Sequence, residues 1–417
     1  MRYVNRFSDA QLVSRLKSAG AVLIRGVKAC GKTETAKQVA KSSINFLLEA
    51  DARIAQFSLE QALQGEKPRL IDEWQEFPKV WDSVKVSVDN LKEKGLYILT
   101  GSATPRDDAR MHSGVGRFSI LQMYPMTWAE RGFAQGKNSF TEVLTTGQLE
   151  FEDVNPTPAE IAEKIVIGGW PDLLSASQNE AMQFLQDYIS LICETDINRI
   201  SDNSRRRDPV KVRRLFESFA RNISTEASNS TLAKDVSGDQ NIGPETVAEY
   251  LDALQRLMIV DYLPAFKPHI TSRYALRSTP VKHFVDASLA AAALYLDVDK
   301  LASDPFYLGL LFESCVVQNI KAALINSGAI FSHYRDSAGR EVDLIVEFPG
   351  GEWCAIEIKL GFGQADEAAA GLLAFAGTID ERHTPKPSRL LVITGNGFAH
   401  QRKDGVIVVP FESLGRL

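Results

Sequence analysis

The residues with the clearest chemical signature form a glycine-rich stretch near the amino terminus. The pattern G-x-x-x-x-G-K-[ST] is met by Gly26, Val27, Lys28, Ala29, Cys30, Gly31, Lys32 and Thr33. The two glycines let the backbone curl so that its N–H groups point inward around phosphate oxygens, and a helix starting near Gly31 adds its positive end. Lys32 is placed to reach the β and γ phosphates, and the Thr33 hydroxyl to bind Mg²⁺. The stretch therefore predicts a site for ATP with Mg²⁺, in which Cys30 is a spacer.

A magnesium–nucleotide site also needs a carboxylate at the end of a neighbouring strand, and Asp72 and Glu73 supply a pair. The apolar run 69–71 ends immediately before them, so we expect Asp72 at the carboxyl edge of a parallel sheet, where ligands bind. Asp72 is then the metal-side acid together with Thr33, and Glu73 polarises the attacking water. The open alternative is a helix cap or a solvated turn.

Two other residues are candidates for the same site. Thr100 follows the apolar run 96–99, and its hydroxyl, or that of Ser102, is expected to report on the γ phosphate. Loop chemistry unrelated to nucleotide is the alternative for both. Arg117, in the segment GVGRF, is either an arginine finger, acting in its own or a neighbouring subunit's site, or a surface arginine.

A second constellation lies near the carboxyl end, where Asp343 precedes the sequence Glu357-Ile-Lys359. Strand side chains alternate between faces, so Glu357 and Lys359 share one face. A turn around Gly350 predicts a hairpin that pairs Asp343 with Glu357 and Glu341 with Lys359. Two carboxylates opposite each other destabilise a sheet unless a cation compensates them, and their oxygens suit Mg²⁺ or Mn²⁺. The alternative is a Glu341–Lys359 ion pair with the acids facing water.

The apolar patterning predicts the elements that position these residues. Residues 1–135 alternate short apolar runs with helical segments at 32–42, 54–63 and 80–92, which indicates βαβ units and a parallel sheet. Residues 136–265 are expected to form a linker, helices and a winged helix, and residues 266–417 a second domain with strands. The predicted fold class is thus α/β throughout, with a P-loop sheet, a helical middle and a carboxyl-terminal α/β domain.

The middle segment contains two candidate contacts for nucleic acid. Residues 231–236 and 244–258 predict a helix-turn-helix followed by a wing strand at 258–263. The exposed face of the second helix carries Glu245, Glu249 and Asp252, which would repel phosphates. The basic run Arg205–Arg214 is the better candidate, with a solvated or acid-paired helix start as its alternative.

Composition narrows the class of protein. The chain has 417 residues, 44% of them hydrophobic, a net charge of −6 and four well-separated cysteines. These values exclude a disordered chain, a whole-protein basic field and a disulfide scaffold. The first residues lack a signal-peptide pattern, and the apolar runs are too short for a membrane span. We therefore expect a cytoplasmic protein without a membrane partner.

Several segments extend these motifs to a resemblance that covers nearly the whole chain. TGSA, GVGRF, MYPMTWAE, GGWPDLL and RRDPVKVRRLFESFARN resemble a large prokaryotic family that joins an AAA-type P-loop ATPase to a carboxyl-terminal domain of unknown function with a restriction-endonuclease-like core. The resemblance implies an ATPase using ATP and Mg²⁺. It also implies that Asp343 and Glu357 hold a metal ion, that Lys359 activates water, and that Glu313 is an additional metal-side acid.

The leading interpretation is an Mg²⁺-dependent ATPase coupled to a nuclease-like domain. Two alternatives stay open: an ATP-gated, metal-dependent nuclease acting on DNA or RNA, and a nucleotide-dependent regulatory binding module without turnover. Nucleic acid and a protein partner or homo-oligomer are the candidate partners.

Overall fold

The computed structural model describes residues 3–101, 114–199, 207–236, 242–266 and 279–415. The chain forms two compact units. One comprises Met1–Pro125 with Arg256–Met258, and the other Met126–Gln255 with Ile259–Leu417. The first unit ends at Pro125 and the expected first domain at 135. The second unit contains most of the middle segment, apart from Arg256–Met258, together with the carboxyl-terminal segment, and the three expected domains stay a prediction.

The first unit is built on a parallel sheet, as the sequence predicts. Its strands are β1 Ala21–Gly26, β2 Ser42–Asn45, β3 Arg69–Asp72, β4 Tyr97–Gly101 and β5 Phe118–Met123. Its helices are α1 Phe7–Ser18, α2 Lys32–Lys37, α3 Glu49–Phe57, α4 Leu59–Leu63 and α5 Val80–Leu91. The strand order is β2-β3-β4-β1-β5, and all neighbours are parallel. The carboxyl ends of these strands therefore meet at one edge of the sheet.

Burial explains why the short apolar runs become strands. Every residue of β4 is buried, and all of β1 except Arg25. One face of the sheet packs against a core that includes Trp74 and Trp81. The helix α2 ends at Lys37 rather than at the expected 42. The chain turns after it, the Lys41 N–H donates to the Pro68 carbonyl oxygen, and β2 begins at the next residue. The short helix contributes a smaller dipole than expected.

The second unit combines helices with a mixed sheet. Its helices are α6 Trp128–Arg131, α7 Phe140–Thr145, α8 Pro158–Ile167, α9 Gln178–Leu191, α10 Ile197–Arg199, α11 Pro209–Arg221, α12 Asn229–Val236, α13 Pro244–Arg256, α14 Ser288–Ala293, α15 Val298–Ala302, α16 Pro305–Leu324 and α17 Ala365–Gly377. Its strands are β6 Asp153–Val154, β7 Val260–Leu263, β8 Val281–Phe284, β9 Ile330–Arg335, β10 Glu341–Glu347, β11 Trp353–Lys359, β12 Arg389–Thr394, β13 Gly397–Phe398, β14 His400–Gln401 and β15 Ile407–Pro410. Six strands form the sheet β14-β15-β12-β11-β10-β9.

The predicted hairpin is present in this sheet. Strands β10 and β11 are antiparallel, and Leu344 lies opposite Ile356. This pair lies one residue from Asp343 and Glu357, whose direct pairing stays a prediction. Within the described residues, one helical stretch, Pro305–Ser327, is long and apolar enough to cross a membrane, but 72% of its apolar window is buried in the protein. A core helix has the same properties.

The middle segment has its helices where they are expected, with α12, α13 and the antiparallel pair β7–β8. The turn through Asn241 lies outside the described residues, and the winged helix stays a prediction. The part of the basic run that the structure describes favours an acid-paired helix start. Arg207 is buried, donates to the Ile197 carbonyl at 2.8 Å and lies 3.4 Å from Glu249. Arg213 lies 3.6 Å from Glu217. These two arginines are thus engaged within the protein.

Candidate functional site

The glycine-rich loop joins β1 to α2 at the carboxyl edge of the first unit's sheet. Gly26 has no room for a side chain, since a Cβ there would lie 2.5 Å from the Met123 carbonyl oxygen. Gly31 has φ 99°, in the left-handed region that favours glycine. Ala29 also adopts a positive φ of 61°. Both glycines of the pattern are therefore required by the backbone path of the loop.

Lys32 lies inside the curl of this loop. Its side chain is buried, and its Nζ donates to the carbonyl oxygens of Gly26 at 2.9 Å and Val27 at 2.8 Å. The ammonium group thus lies against the concave side of the loop where the sequence predicts phosphate oxygens. A phosphate group offers a stronger charge-assisted partner than these neutral carbonyls.

Asp72 is the point on which the other polar side chains of this edge converge. Its Oδ1 accepts from the Thr33 hydroxyl at 2.9 Å and from the Thr100 hydroxyl at 2.5 Å, and its Oδ2 accepts from Asn45 Nδ2 at 3.1 Å. The carboxylate is buried. Thr100 therefore contacts the metal-side acid, and its predicted role at the γ phosphate stays a prediction. Ser102 lies outside the described residues.

These groups fit a magnesium ion. The Thr33 hydroxyl and the Asp72 carboxylate present oxygen atoms 2.9 Å apart beside the loop, and hard oxygen ligands suit Mg²⁺. Two or fewer protein ligands are usual where nucleotide phosphates and water complete the coordination.

The Asp72→Asn variant is expected to lose the Mg²⁺-dependent part of its ATP affinity. The amide keeps the size of the side chain but removes the charge that would face the ion, so we expect a loss of at least about tenfold. Titration with ATP in Mg²⁺ and in EDTA measures it, with the exposed Asp82→Asn as the control. A wild-type response to Mg²⁺ in Asp72→Asn would exclude this role.

Glu73 follows Asp72 in a constrained backbone conformation. Its φ is 52°, which is unusual for a residue other than glycine. Its side chain is half-buried, and its Oε2 accepts a hydrogen bond from Gln75 Nε2. The left-handed turn aims the Glu73 side chain differently from a continuing strand, and Gln75 fixes one carboxylate oxygen. Its role as the base stays a prediction.

Arg117 does not join this site within the same unit. Its backbone carbonyl accepts from Ala21 N–H at 3.1 Å, which places it at the amino edge of the sheet. Strand β1 runs from there to the loop, a distance of roughly 16 Å at the usual rise per residue. The Arg117 Nε donates to both carboxylate oxygens of Asp89, at 2.9 and 3.1 Å. The structure therefore does not bring Arg117 to the loop of its own unit, and its role as an arginine finger stays a prediction.

The carboxyl-terminal constellation is brought together in the second unit. Lys359 Nζ lies 2.7 Å from Glu357 Oε2 and 3.4 Å from Asp343 Oδ2. The same Asp343 oxygen accepts from Ile358 N–H at 2.7 Å. The alternative reading of this cluster does not hold. Glu341 forms its ion pair with Arg335, at 2.7 Å, rather than with Lys359, and Glu357 is buried rather than facing water. The β9–β10 register shifts here, which lets Glu341 meet Arg335.

Crowding of acids dominates the electrostatics of this cluster. Burial and the neighbouring Asp343 raise the pKa of Glu357 to about 9. Burial, with Asp343 next in weight, raises the pKa of Glu313 on α16 well above its usual value. Burial alone would lower the pKa of Lys359, but Asp343 and Glu357 outweigh it and raise that pKa. The single ammonium group therefore compensates the acids only in part, so that carboxyl protons or another cation must supply the rest.

The cluster does not have the arrangement of a ready metal centre. Across the ranges that the structure describes, no group of three or more His, Cys, Asp and Glu side chains is placed to hold a metal ion. The Lys359 ammonium lies between the two strand carboxylates where the resemblance implies a metal. The metal role of Glu313, Asp343 and Glu357 stays a prediction.

Sequence reasoning missed two residues that contact the nucleotide site. Asn45 ends β2 at the same edge as Asp72, so the rule that found Asp72 also applies to it. Arg6 donates from Nη1 to the Cys30 carbonyl in the loop, at 2.9 Å. No local pattern marks Arg6, because its contact is made 24 residues away.

Comparisons with known proteins match three segments of the chain. Residues 18–131 match the family described as AAA domain, and residues 159–300 and 308–414 match two domains of unknown function, DUF8612 and DUF4143. Uncharacterized proteins of Mycobacterium bovis and Mycobacterium tuberculosis are each 26% identical over 362 residues, covering 85% of this chain and 73% of theirs. A Walker-type ATPase of Pyrococcus abyssi has a TM-score of 0.41 and 13% identity, covering 69% of this chain and 94% of that one.

The amino-terminal match coincides with the parallel sheet, the glycine-rich loop and the acid at the end of β3. Residues 18–131 are therefore similar to the family described as AAA domain in the segment that holds these features.

Proposed function

We propose that the protein is an Mg²⁺-dependent ATPase whose nucleotide site is built by the loop 26–33 and the ends of β2, β3 and β4. The observation that carries the proposal is the convergence of Thr33, Thr100 and Asn45 on the buried Asp72 carboxylate, beside a loop that encloses Lys32. A turn that served only to join a strand to a helix would need neither the lysine nor the buried acid.

Each residue of the site has a distinct task in this proposal. The loop N–H groups and Lys32 bind the triphosphate and orient it. Thr33 and Asp72 would hold Mg²⁺, which offsets the charge of the phosphate oxygens when bound. Asn45 and Thr100 hold the Asp72 carboxylate in place. Glu73 takes a proton from the attacking water, and Gln75 orients its carboxylate.

The primary test is ATP turnover by the purified full chain with Mg²⁺, measured with and without DNA or RNA. A mass measurement in the absence of nucleotide, with ATP and with ADP, run in parallel, reports any change of oligomeric state. Turnover that requires Mg²⁺ supports the proposal. Tight ATP binding without turnover would instead favour a regulatory binding module.

A metal-dependent nuclease activity of the second unit is the second candidate, and one specific observation favours it. Asp343, Glu357 and Lys359 come from two paired strands and meet within hydrogen-bonding distance, although like charges at opposed strand positions are unfavourable. A structural role alone gives no reason to bury such a pair. In a restriction-endonuclease-like domain the acids would bind Mg²⁺ or Mn²⁺, and Lys359 would orient the water that attacks a phosphodiester.

The Asp343→Asn variant is expected to abolish cutting of plasmid and single-stranded DNA or RNA in Mg²⁺ or Mn²⁺. The variant retains the side-chain size but loses a charge that would face both the ion and Lys359. Assays with and without ATP test whether the nucleotide gates the activity. The matched control is Asp380→Asn, in an exposed turn after α17. Cutting that persists in Asp343→Asn would assign it to a contaminant or another site.

The proposed setting is the cytoplasm, where thiols stay reduced. The four cysteines are free and buried in the structure. DNA or RNA and a second copy of the chain are the proposed partners, and the turnover and mass measurements address them.

A further inference from the structure

Arg6 lies outside the predicted motif, yet its side chain contacts the backbone of the motif. The residue is buried and precedes α1. Its Nη1 donates to the carbonyl oxygen of Cys30 at 2.9 Å, and its Nη2 donates to the carbonyl oxygen of Tyr124 at 2.9 Å. One guanidinium group therefore ties the phosphate loop to the chain just beyond β5.

The geometry of a peptide unit gives this contact a consequence for phosphate binding. The Cys30–Gly31 peptide is trans and planar, so its C=O and N–H point in opposite directions. Arg6 fixes the direction of the C=O, which accepts from its guanidinium. The Gly31 N–H then points to the opposite side of the peptide, away from Arg6.

The backbone of Arg6 is held in place by the first turn of α1. Arg6 N–H donates to Asp9 Oδ2 at 2.8 Å, and the Tyr3 hydroxyl donates to Asp9 Oδ1 at 2.6 Å. The Tyr3 hydroxyl also lies 2.9 Å from the Thr35 hydroxyl on α2. The segment before α1 thus makes hydrogen bonds both to the glycine-rich loop and to α2, the helix that follows the loop.

We propose that Arg6 is a positioning residue of the nucleotide site, which orients the Gly31 N–H toward the phosphates of ATP. The inference rests on the proposed function of the loop and adds a residue outside the motif. Arg6 acts through the backbone and does not touch the nucleotide. Because loop N–H groups cradle phosphates in this class of site, its removal weakens the binding of any ligand that carries a phosphate chain.

The experiment is calorimetric titration of ATP, ADP and inorganic tripolyphosphate into wild type, Arg6→Ala and Arg6→Lys. Losing an oriented, charge-assisted contact is expected to raise the dissociation constant of all three ligands on the order of tenfold in Arg6→Ala. Lysine retains the charge but cannot reach both carbonyls with a planar fork, so Arg6→Lys is expected to lie between. Arg15→Ala is the matched control, since Arg15 lies on α1 and its guanidinium donates to the Ser119 hydroxyl on β5, at 2.9 Å, instead of to the loop.

The titration separates positioning from mere stabilisation of the fold. A purely structural Arg6 lowers the number of binding-competent molecules, and hence the stoichiometry, while the dissociation constant of the folded molecules stays unchanged. An unchanged constant in Arg6→Ala would overturn the inference. If Arg6→Ala does not fold, Arg6→Lys decides in the same way. If the wild-type protein binds no ATP, the proposed function itself is overturned. If the wild-type protein and the Arg6 variants bind ATP equally well, only the role of Arg6 is overturned.

Discussion

Replacing Lys32 with alanine is expected to abolish ATP binding and turnover while the fold is retained. The ammonium group is the one side-chain cation that the structure sets inside the loop's curl, among the residues described there. Without it, the negative charge of the β and γ phosphates would face only backbone dipoles. Arg and Lys clamps and oriented donors supply several kcal/mol in such sites, so we expect a loss of at least about a hundredfold in kcat/KM.

ATP titration, steady-state turnover and a chemical unfolding curve measure this effect together. The matched control is Lys37→Ala, because Lys37 is exposed on α2 and pairs with Glu34 on the surface. Truncation also removes two hydrogen bonds to the loop carbonyls, so the unfolding curve must show that the domain stays folded. Nucleotide affinity unchanged in Lys32→Ala would contradict the assignment of the loop.

The second large effect is expected from Glu73→Gln, which should bind ATP but not hydrolyse it. Glutamine keeps the shape and the hydrogen-bonding distance to Gln75 but cannot accept a proton from water. Since a positioned general base contributes about 10²–10⁴-fold, we expect kcat to fall by that order while ATP affinity changes little. This separation of binding from turnover distinguishes Glu73 from Lys32, whose loss should impair both.

Single-turnover hydrolysis after mixing the protein with ATP and Mg²⁺ isolates the chemical step from product release. Glu76→Gln is the matched control, because Glu76 lies three residues further along and is exposed. If Glu73→Gln hydrolyses ATP at the wild-type rate, another group is the base. If it fails to bind ATP, Glu73 instead holds the site together.

Most of the amino-terminal sheet and its candidate site could be predicted from local sequence patterns. The apolar runs predicted β1, β3 and β4, since a buried parallel strand must be apolar on both faces. The glycine pattern and Asp72 were found because each lies directly after such a run. Asn45 obeys the same rule and was overlooked. Its strand, Ser42–Asn45, is mostly polar at the edge of the sheet and gave a weaker signal.

The carboxyl-terminal hairpin was predicted from the sequence, but the contacts of its charged residues were not. The turn around Gly350 set a register with Leu344 opposite Ile356, because a hairpin's turn determines which residues face each other. The partner of Glu341 depended on β9, a third strand that the turn does not specify. Lys359 therefore pairs with Asp343 and Glu357, while Arg335 pairs with Glu341.

The sequence alone determined the phosphate loop, the acid at the end of β3 and the α/β class, because these follow from spacing within short segments. Only the tertiary structure decided which distant groups serve them. It set Arg117 at the opposite edge of the sheet from the loop, and it brought Arg6 to the Cys30 carbonyl. Both outcomes depend on the order of strands in the sheet and on the packing of α1, and no property of the local sequence encodes contacts between segments that far apart.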